Sequence, residues 1–176
     1  FFVGSHPICG SEKKGFFSAD PDLYLNQNII ICSEENTPAF ILEKVTDLWS
    51  GIGSNTLIMQ ASEHDELLAA TSHLPHIIAV MLVNIIRHND NELSKLIDLC
   101  GTGFIDTSRL ASGSAAIWTD IISTNENAIL KQLDYLDDQI NDLSNFIKNK
   151  KYDEIYNWLI NAANTRTEIL SNIKNK

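Results

Sequence analysis

The chain has 176 residues, 44% of them hydrophobic, so it can bury a core, which argues against intrinsic disorder. The formal net charge of −10 argues against nucleic acid as a partner, because no basic face offsets the acidic residues. The longest apolar run, residues 77–86, is too short to span a bilayer, so we expect no membrane partner. The three cysteines, Cys9, Cys32 and Cys100, lack paired spacing, which indicates free thiols in a reducing compartment and predicts a cytoplasmic protein.

Residues 1–60 have α/β character. The run from Phe1 to Gly4 is typical of a strand end that opens into a loop at residues 5–7. A continuous apolar run over 28–32 predicts a strand buried on both faces, and a helix with Thr37 as its N-cap and a third strand follow it. Strand, helix and strand together indicate a small βαβ fragment.

From residue 61 onward the pattern is all-helical. A long helix is predicted over 62–88, and we expect Pro75 to kink it and to free a backbone carbonyl one turn earlier. Apolar residues spaced by four and three form a packing seam in the helix that follows the 115–122 segment. The seam residues are Ile129, Leu133, Leu136, Ile140, Leu143 and Ile147. A dimer interface and an intramolecular helical hairpin explain this seam equally well. The predicted fold class is therefore mostly α, with a small α/β fragment at 1–60 and a helical domain at 61–176.

Histidines are the first candidates for chemistry. His6 lies in a Gly/Ser/Pro segment after a predicted strand, where α/β sheets place ligands, although a plain surface histidine fits that position too. The long helix carries His64, Asp65, Ser72, His73 and His76 on its first half. Their spacing lacks the His-Glu-x-x-His pattern of a metalloprotease, so no metal site is predicted. Core histidines with satisfied hydrogen bonds are the alternative.

One arginine stands out among few cations. Arg109 follows a glycine break and precedes an apolar segment, a setting that suits bidentate binding of a carboxylate. A structural ion pair with Asp106 or Asp65 is the alternative. Trp118, nine residues on, has the pattern of a core residue.

Four segments in register resemble the prephenate and arogenate dehydrogenase family of tyrosine biosynthesis. They are Val3-Gly4-Ser5-His6-Pro7 with Gly10-Ser11-Glu12-Lys13 and Gly15, His64-Asp65 leading to Ser72-His73-Leu74-Pro75-His76, the stretch from Gly101 to Ala111, and Trp118-Thr119-Asp120-Ile121. The resemblance covers nearly the whole chain. Two residues depart from the family pattern: Thr102, where the family more often has glycine, and Ser108. Both lie in the segment before Arg109, so the resemblance does not determine the detailed shape of the pocket there.

The resemblance implies a fold and a reaction. Residues 1 to about 60 would be the last part of a Rossmann-type nucleotide-binding domain, and the remainder a helical domain that dimerises. The implied reaction is the NAD- or NADP-dependent oxidative decarboxylation of prephenate to 4-hydroxyphenylpyruvate. The Gly-rich cofactor fingerprint does not occur in these 176 residues, so this chain alone is expected to be inactive.

The resemblance also implies roles for individual residues. His6 would accept the proton of the substrate's ring hydroxyl, and Arg109 would hold a substrate carboxylate. Supporting residues would be Glu12, Asp65 and Asp106, whereas Ser72, His73 and His76 would line the substrate pocket. Trp118 would reach the site of a neighbouring subunit. The alternatives are an arogenate dehydrogenase and a non-catalytic helical dimerisation module.

Overall fold

A three-stranded sheet precedes a set of helices in the computed structural model, which describes residues 2–10, 17, 19–87 and 93–174. The strands are β1 (Gly4–Pro7), β2 (Asn28–Ser33) and β3 (Asn55–Gln60). The helices are α1 (Ala39–Gly51), α2 (Ala61–Leu68), α3 (Leu74–Arg87), α4 (Leu93–Asp98), α5 (Thr102–Ser108), α6 (Ala115–Thr124), α7 (Glu126–Lys148) and α8 (Tyr152–Lys174). This architecture confirms the predicted fold class.

Strand β2 is the centre of the sheet, with β1 antiparallel on one side and β3 parallel on the other. Its side chains Ile29 and Ile31 are completely buried, and Ile30 is 6% exposed, which confirms the prediction of a strand covered on both faces. Helix α1 connects the two parallel strands, so the predicted βαβ fragment is present. Thr37 does not cap α1, because its Oγ1 accepts a hydrogen bond from the Glu34 N–H at 3.1 Å.

The loop predicted around His6 is wrong: residues 4–7 form strand β1. His6 pairs with Ile30, and the ladder continues beyond the strand because the Ile8 N–H donates to the Asn28 carbonyl at 2.8 Å. Pro7 is tolerated here because β1 lies at the edge of the sheet formed by the described residues, where a missing N–H leaves no inner hydrogen bond unmade. His6 is therefore positioned by a sheet ladder.

The long helix carries a π-helical turn. Residues Ala69–His73 form this turn between α2 and α3, and the Leu74 N–H donates to the carbonyl of Ala69, five residues earlier. Pro75 explains the turn, because it has no N–H and its ring would collide with the carbonyl four residues before it in a regular helix. The structure thus has one extra residue in the turn before Pro75, and the kink expected there stays a prediction.

The helix from Ala61 to Arg87 has a mean hydropathy of 1.6 over its most apolar 18-residue window. By length and composition alone it could cross a membrane, contrary to the expectation from the shorter run 77–86. That expectation counted only the apolar run, whereas the helix has 27 residues. One such helix is weak evidence, since core helices of soluble proteins pass the same criterion; 22% of this window is buried within the chain.

By compactness the chain divides into Phe1–Ile129 and Leu130–Lys176. Helix α2 packs against β2 and β3, so the first unit joins the sheet to the start of the helical region. The domain boundary expected near residue 60 falls inside this first unit, where the helix after it packs against the strands before it. That boundary stays a prediction.

The second unit contains the C-terminal part of α7, a tight turn and α8. Lys150 adopts a left-handed conformation with φ of 53°, and the Lys151 N–H closes the helix end by donating to the Phe146 carbonyl at 2.9 Å. The Trp158 Nε1–H donates to Gln139 Oε1 at 2.9 Å, which ties the two helices together beyond the turn. The turn predicted at residues 89–91 lies outside the described residues.

Candidate functional site

A cavity of about 430 Å³ lies within the first unit, a size typical of small-molecule sites. It is lined by His6, His64, Asp65, Leu68, Ser72, His73, Trp118, Ile121, Thr124 and Asn125. The lining thus combines the edge strand, the long helix and the α6–α7 junction. Among the residues that the structure describes, no lysine, arginine or glycine belongs to this lining.

One hydrogen bond joins strand β1 to helix α2 at this cavity, and a second links two neighbouring residues of that helix. His6 Nδ1 lies 2.9 Å from His64 Nε2, and His64 Nδ1 lies 2.8 Å from Asp65 Oδ1. The imidazole rings of His6 and His64 meet edge to face, with centroids 5.2 Å apart. The side chain of His64 is only 17% exposed, whereas that of Asp65 is 49% exposed.

The partners determine where the protons lie in this series of hydrogen bonds. A carboxylate only accepts, so a neutral His64 carries its proton on Nδ1 and offers the lone pair of Nε2. His6 must then donate through Nδ1, which leaves its Nε2 unprotonated and able to accept a proton. Burial lowers the pKa of His6, and the neighbouring His64 lowers it further, so the neutral base prevails near neutral pH.

A second cluster is built around Trp118. The ring of His76 stacks on Trp118 with centroids 3.4 Å apart and planes 10° apart. His73 meets the same indole edge-on, with centroids 6.1 Å apart. Both histidines are buried, at 9% and 6% exposure for His73 and His76, and burial is the main cause that lowers the pKa of each.

Gly113 makes this stacking possible. A Cβ built at Gly113 would lie 2.7 Å from Trp118 Nε1 and 2.8 Å from His76 Cε1. The backbone of Gly113 has φ −61° and ψ 162°, a conformation open to other residues, so the requirement is for space alone. Its absent side chain lets the chain pass directly over the two rings.

The structure brings some of the predicted site residues together and leaves others apart. His6, Asp65, Ser72, His73 and Trp118 line the cavity. His76 does not line it, because the ring lies against Trp118.

Arg109 does not line the cavity either. It starts a short 3₁₀ turn, Arg109–Ser112, that packs against α3, and it is exposed. Asp106, on α5, is exposed as well. Within the described residues neither Asp106 nor Asp65 forms an ion pair with Arg109. Glu12 lies outside the described residues.

Sequence reasoning missed several contributors. It noted His64 but not its contact with His6, which joins residues 58 positions apart. It passed over Asn125, whose only signal was a polar residue between two helical patterns, and Thr124 beside it. Nothing in the sequence marked Gly113 as the point where backbone meets the stacked rings.

The cavity fits one part of a nicotinamide dinucleotide and not another. A pyrophosphate needs cations or a glycine-rich turn of backbone N–H groups, and the described part of the lining supplies neither. A flat ring fits among the histidines and the indole. The residues present therefore suit the reactive ring end of such a cofactor, beside His6.

Two family models match this chain. The model described as "Prephenate dehydrogenase, nucleotide-binding domain" matches residues 1–58, and "Prephenate dehydrogenase, dimerization domain" matches residues 60–161. The second match alone covers more than half of the chain. The chain belongs to the prephenate dehydrogenase family. The family resemblance predicted from the four segments is thereby confirmed.

Relatives within the prephenate dehydrogenase family are oxidoreductases by name. The chain is 30% identical over 165 residues to a prephenate dehydrogenase of Bacillus subtilis, covering 94% of this chain and 44% of that protein. It is 32% identical over 134 residues to a cyclohexadienyl dehydrogenase of Zymomonas mobilis, covering 76% of this chain and 46% of the relative. The chain thus spans less than half the length of these relatives.

Solved structures agree on the fold of this prephenate dehydrogenase family member. The Aquifex aeolicus prephenate dehydrogenase, in complex with hydroxyphenyl propionate and NAD⁺, matches with a TM-score of 0.89 and 30% identity over 96% of this chain and 59% of that one. The Synechocystis arogenate dehydrogenase matches with a TM-score of 0.85 and 25% identity over 95% of this chain and 61% of that one.

The space at Gly113 yields a stability prediction. Gly113→Ala forces a methyl group into the stacked rings and should lower the free energy of unfolding by about 1–3 kcal/mol, the usual range for overpacking. Denaturant unfolding followed by tryptophan fluorescence measures it. Gly103→Ala is the matched control: a Cβ there meets nothing within 4 Å, so stability should be unchanged or slightly higher. Equal stability of the Gly113→Ala variant and the wild type would contradict the packing described.

Proposed function

We propose that this chain works as the C-terminal portion of a prephenate dehydrogenase, which converts prephenate to 4-hydroxyphenylpyruvate by oxidative decarboxylation in tyrosine biosynthesis. The observation that carries the proposal is the series of hydrogen bonds from Asp65 through His64 to His6 at the cavity. It leaves one histidine nitrogen ready to accept a proton, which the reaction requires. Membership of the family supports the choice of substrate.

The reaction needs a proton acceptor at the ring hydroxyl. As hydride leaves the carbon that bears this hydroxyl, a carbonyl forms and the hydroxyl proton must depart. In this proposal His6 Nε2 takes that proton as a general base. The cation that results is stabilised because His6 Nδ1–H still donates to His64, whose other nitrogen donates to the Asp65 carboxylate. Loss of the ring carboxylate as carbon dioxide then leaves its bonding electrons in the ring, and the phenolate oxygen that forms takes the proton back from His6 to give the aromatic product.

A nicotinamide coenzyme supplies the hydride acceptor when bound. Its ring end would lie in the cavity beside His6, and its phosphates would be held by residues outside this chain, because the described cavity lining has no site for them. We therefore propose that this chain alone does not turn over substrate. NAD and NADP both fit this proposal, and the NAD⁺-bound Aquifex aeolicus structure favours NAD.

The remaining residues would bind and orient the substrate. Ser72 and His73 offer polar atoms to the cavity, and Trp118 offers a flat wall. Arg109, with Asp106 one turn before it as a supporting residue, would bind a substrate carboxylate from its exposed turn. Glu12 would support the same site. His76 would act by stacking on Trp118.

An arogenate dehydrogenase is the second candidate, favoured by the likeness to the Synechocystis arogenate dehydrogenase. The chemistry at the ring is the same, and an amino group replaces the side-chain keto group. Comparing kcat/KM for the two substrates distinguishes them: a higher value for arogenate would reject the prephenate assignment.

The proposed domain organisation follows the two family models. Residues 1–60 would be the end of the nucleotide-binding domain and residues 61–176 the helical domain that dimerises. We propose a cytoplasmic homodimer with a small-molecule substrate and no nucleic-acid or membrane partner. Large apolar side chains that are exposed on the second unit support the dimer, because contiguous exposed apolar surface is typical of protein–protein contacts. Those that are about half exposed or more are Leu130, Tyr135, Ile140, Ile147, Tyr152, Tyr156, Leu159, Ile169 and Ile173.

Substitution of the two assigned groups tests the mechanism. In the enzyme that carries this chain with its nucleotide-binding segment, His6→Asn should lower kcat about 100-fold or more, because general-base catalysis is lost. Arg109→Gln should instead raise KM, by roughly 10- to 100-fold, because a charged hydrogen bond is lost on binding. Steady-state kinetics with prephenate measures both.

The control for these variants is Thr119→Ala. This change removes an exposed hydroxyl whose hydrogen bond, within the described part of the chain, goes to the Ala115 carbonyl of its own helix, so activity should not change. Wild-type kinetics in both His6→Asn and Arg109→Gln would refute the assigned roles and favour a non-catalytic dimerisation module.

Sedimentation equilibrium tests the dimer. At micromolar concentration the chain should sediment with twice its monomer mass, and Ile140→Lys with Leu159→Lys should shift it toward monomer because charge is placed on the exposed apolar surface. A wild-type monomer throughout this range would reject the proposed homodimer.

A further inference from the structure

Asn125 lies where two helices meet, at the rim of the cavity. It follows the last residue of α6 and precedes the first of α7. Its backbone N–H donates to the Ile121 carbonyl at 3.1 Å, and its carbonyl accepts from the Ile129 N–H at 3.1 Å. Both helices therefore fix the position from which its side chain reaches the cavity.

The side chain of Asn125 makes two contacts with one nitrogen. Nδ2 lies 2.8 Å from the backbone carbonyl of Asp65 and 3.3 Å from Nδ1 of His73. The carbonyl of Asp65 only accepts, so the group that faces it must be the NH₂ and not the amide oxygen. The second N–H of this NH₂ group donates to Nδ1 of His73.

His73 must then accept through Nδ1. A neutral imidazole has one donor and one acceptor nitrogen, so its proton lies on Nε2. Within the described residues no hydrogen-bond partner of Nε2 is found, and His73 lines the cavity. The ring is held neutral because burial, helped by the nearby His64 and His6 and opposed by Asp65, lowers its pKa.

We propose that Asn125 is a positioning residue that holds His73 as an Nε2–H donor, so that the cavity favours a ligand with a carbonyl or carboxylate oxygen there over one with an ammonium group. An ammonium has only donors, and it would leave the His73 N–H without an acceptor. This inference rests on the proposed function, since it selects the keto acid over the amino acid. It assigns the selection to a residue that touches neither His6 nor Arg109.

The tautomer can be measured without substrate. Long-range ¹H–¹⁵N correlation spectra of the ¹⁵N-histidine-labelled chain should show His73 with Nε2 protonated and Nδ1 bare. In Asn125→Asp the new carboxylate can only accept, so His73 should carry a proton on Nδ1. A wild-type His73 protonated on Nδ1, or an unchanged tautomer in Asn125→Asp, overturns the inference. If Asn125→Asp fails to fold, the wild-type spectrum alone decides.

Selectivity supplies the functional test. In the enzyme with its nucleotide-binding segment, Asn125→Asp should lower the ratio of kcat/KM for prephenate to kcat/KM for arogenate by roughly 3- to 10-fold, the value of one hydrogen bond. An equal loss for both substrates in Asn125→Asp would mean a merely structural role and would overturn the inference.

Ser123→Ala is the matched control on the same helix end. Its hydroxyl donates to the Asp120 carbonyl of its own helix at 3.0 Å, so the ratio should not change when the hydroxyl is removed. The spectra remain informative even if the enzyme accepts neither substrate, so the two proposals can fail separately.

Discussion

The hydrogen bond between His6 and His64 is the interaction on which the site depends. It joins an edge strand to a helix across 58 positions of the chain, and Asp65 completes it at 2.8 Å from the second imidazole. Because each partner fixes the proton of the next, the acceptor nitrogen of His6 is set by the fold before any ligand binds. In the proposed reaction, a base prepared in this way would need no rearrangement during proton transfer.

The π turn and Trp118 contribute further residues to the lining of the same cavity. Pro75 prevents a regular turn, and the extra residue that results places Ser72 and His73 on the cavity while His76 lies against Trp118. Gly113 leaves room for that stack. The backbone conformation before Pro75 therefore determines which polar side chains line the cavity. The composition of this helix alone would be typical of a protein core.

Much of this could be predicted, for physical reasons that differ from element to element. Hydrophobic periodicity indicated the buried strand 28–32 and the long helices, since burial acts on every turn of such elements. The strand at His6 could not be predicted, because its pairing depends on the distant β2. For the same reason Asn125 and Gly113 were missed: one acts through contacts with residues far away in sequence, and the other through space that only the folded chain defines. The family motifs indicated His6 and Trp118 as site residues, but the hydrogen bond to His64 appears only in the fold.

The pH dependence of kcat/KM for prephenate oxidation tests the central claim most directly, because kcat/KM reports the ionisation of the free enzyme. Protonation of His6 removes its accepting lone pair, so activity should fall as the pH falls through the pKa of this histidine. Burial lowers that pKa below the ordinary 6.5, so the acidic limb should lie below this value and vanish in His6→Asn. The same limb in wild type and His6→Asn, or a wild-type limb above 6.5, would contradict the role of His6 as the prepared base.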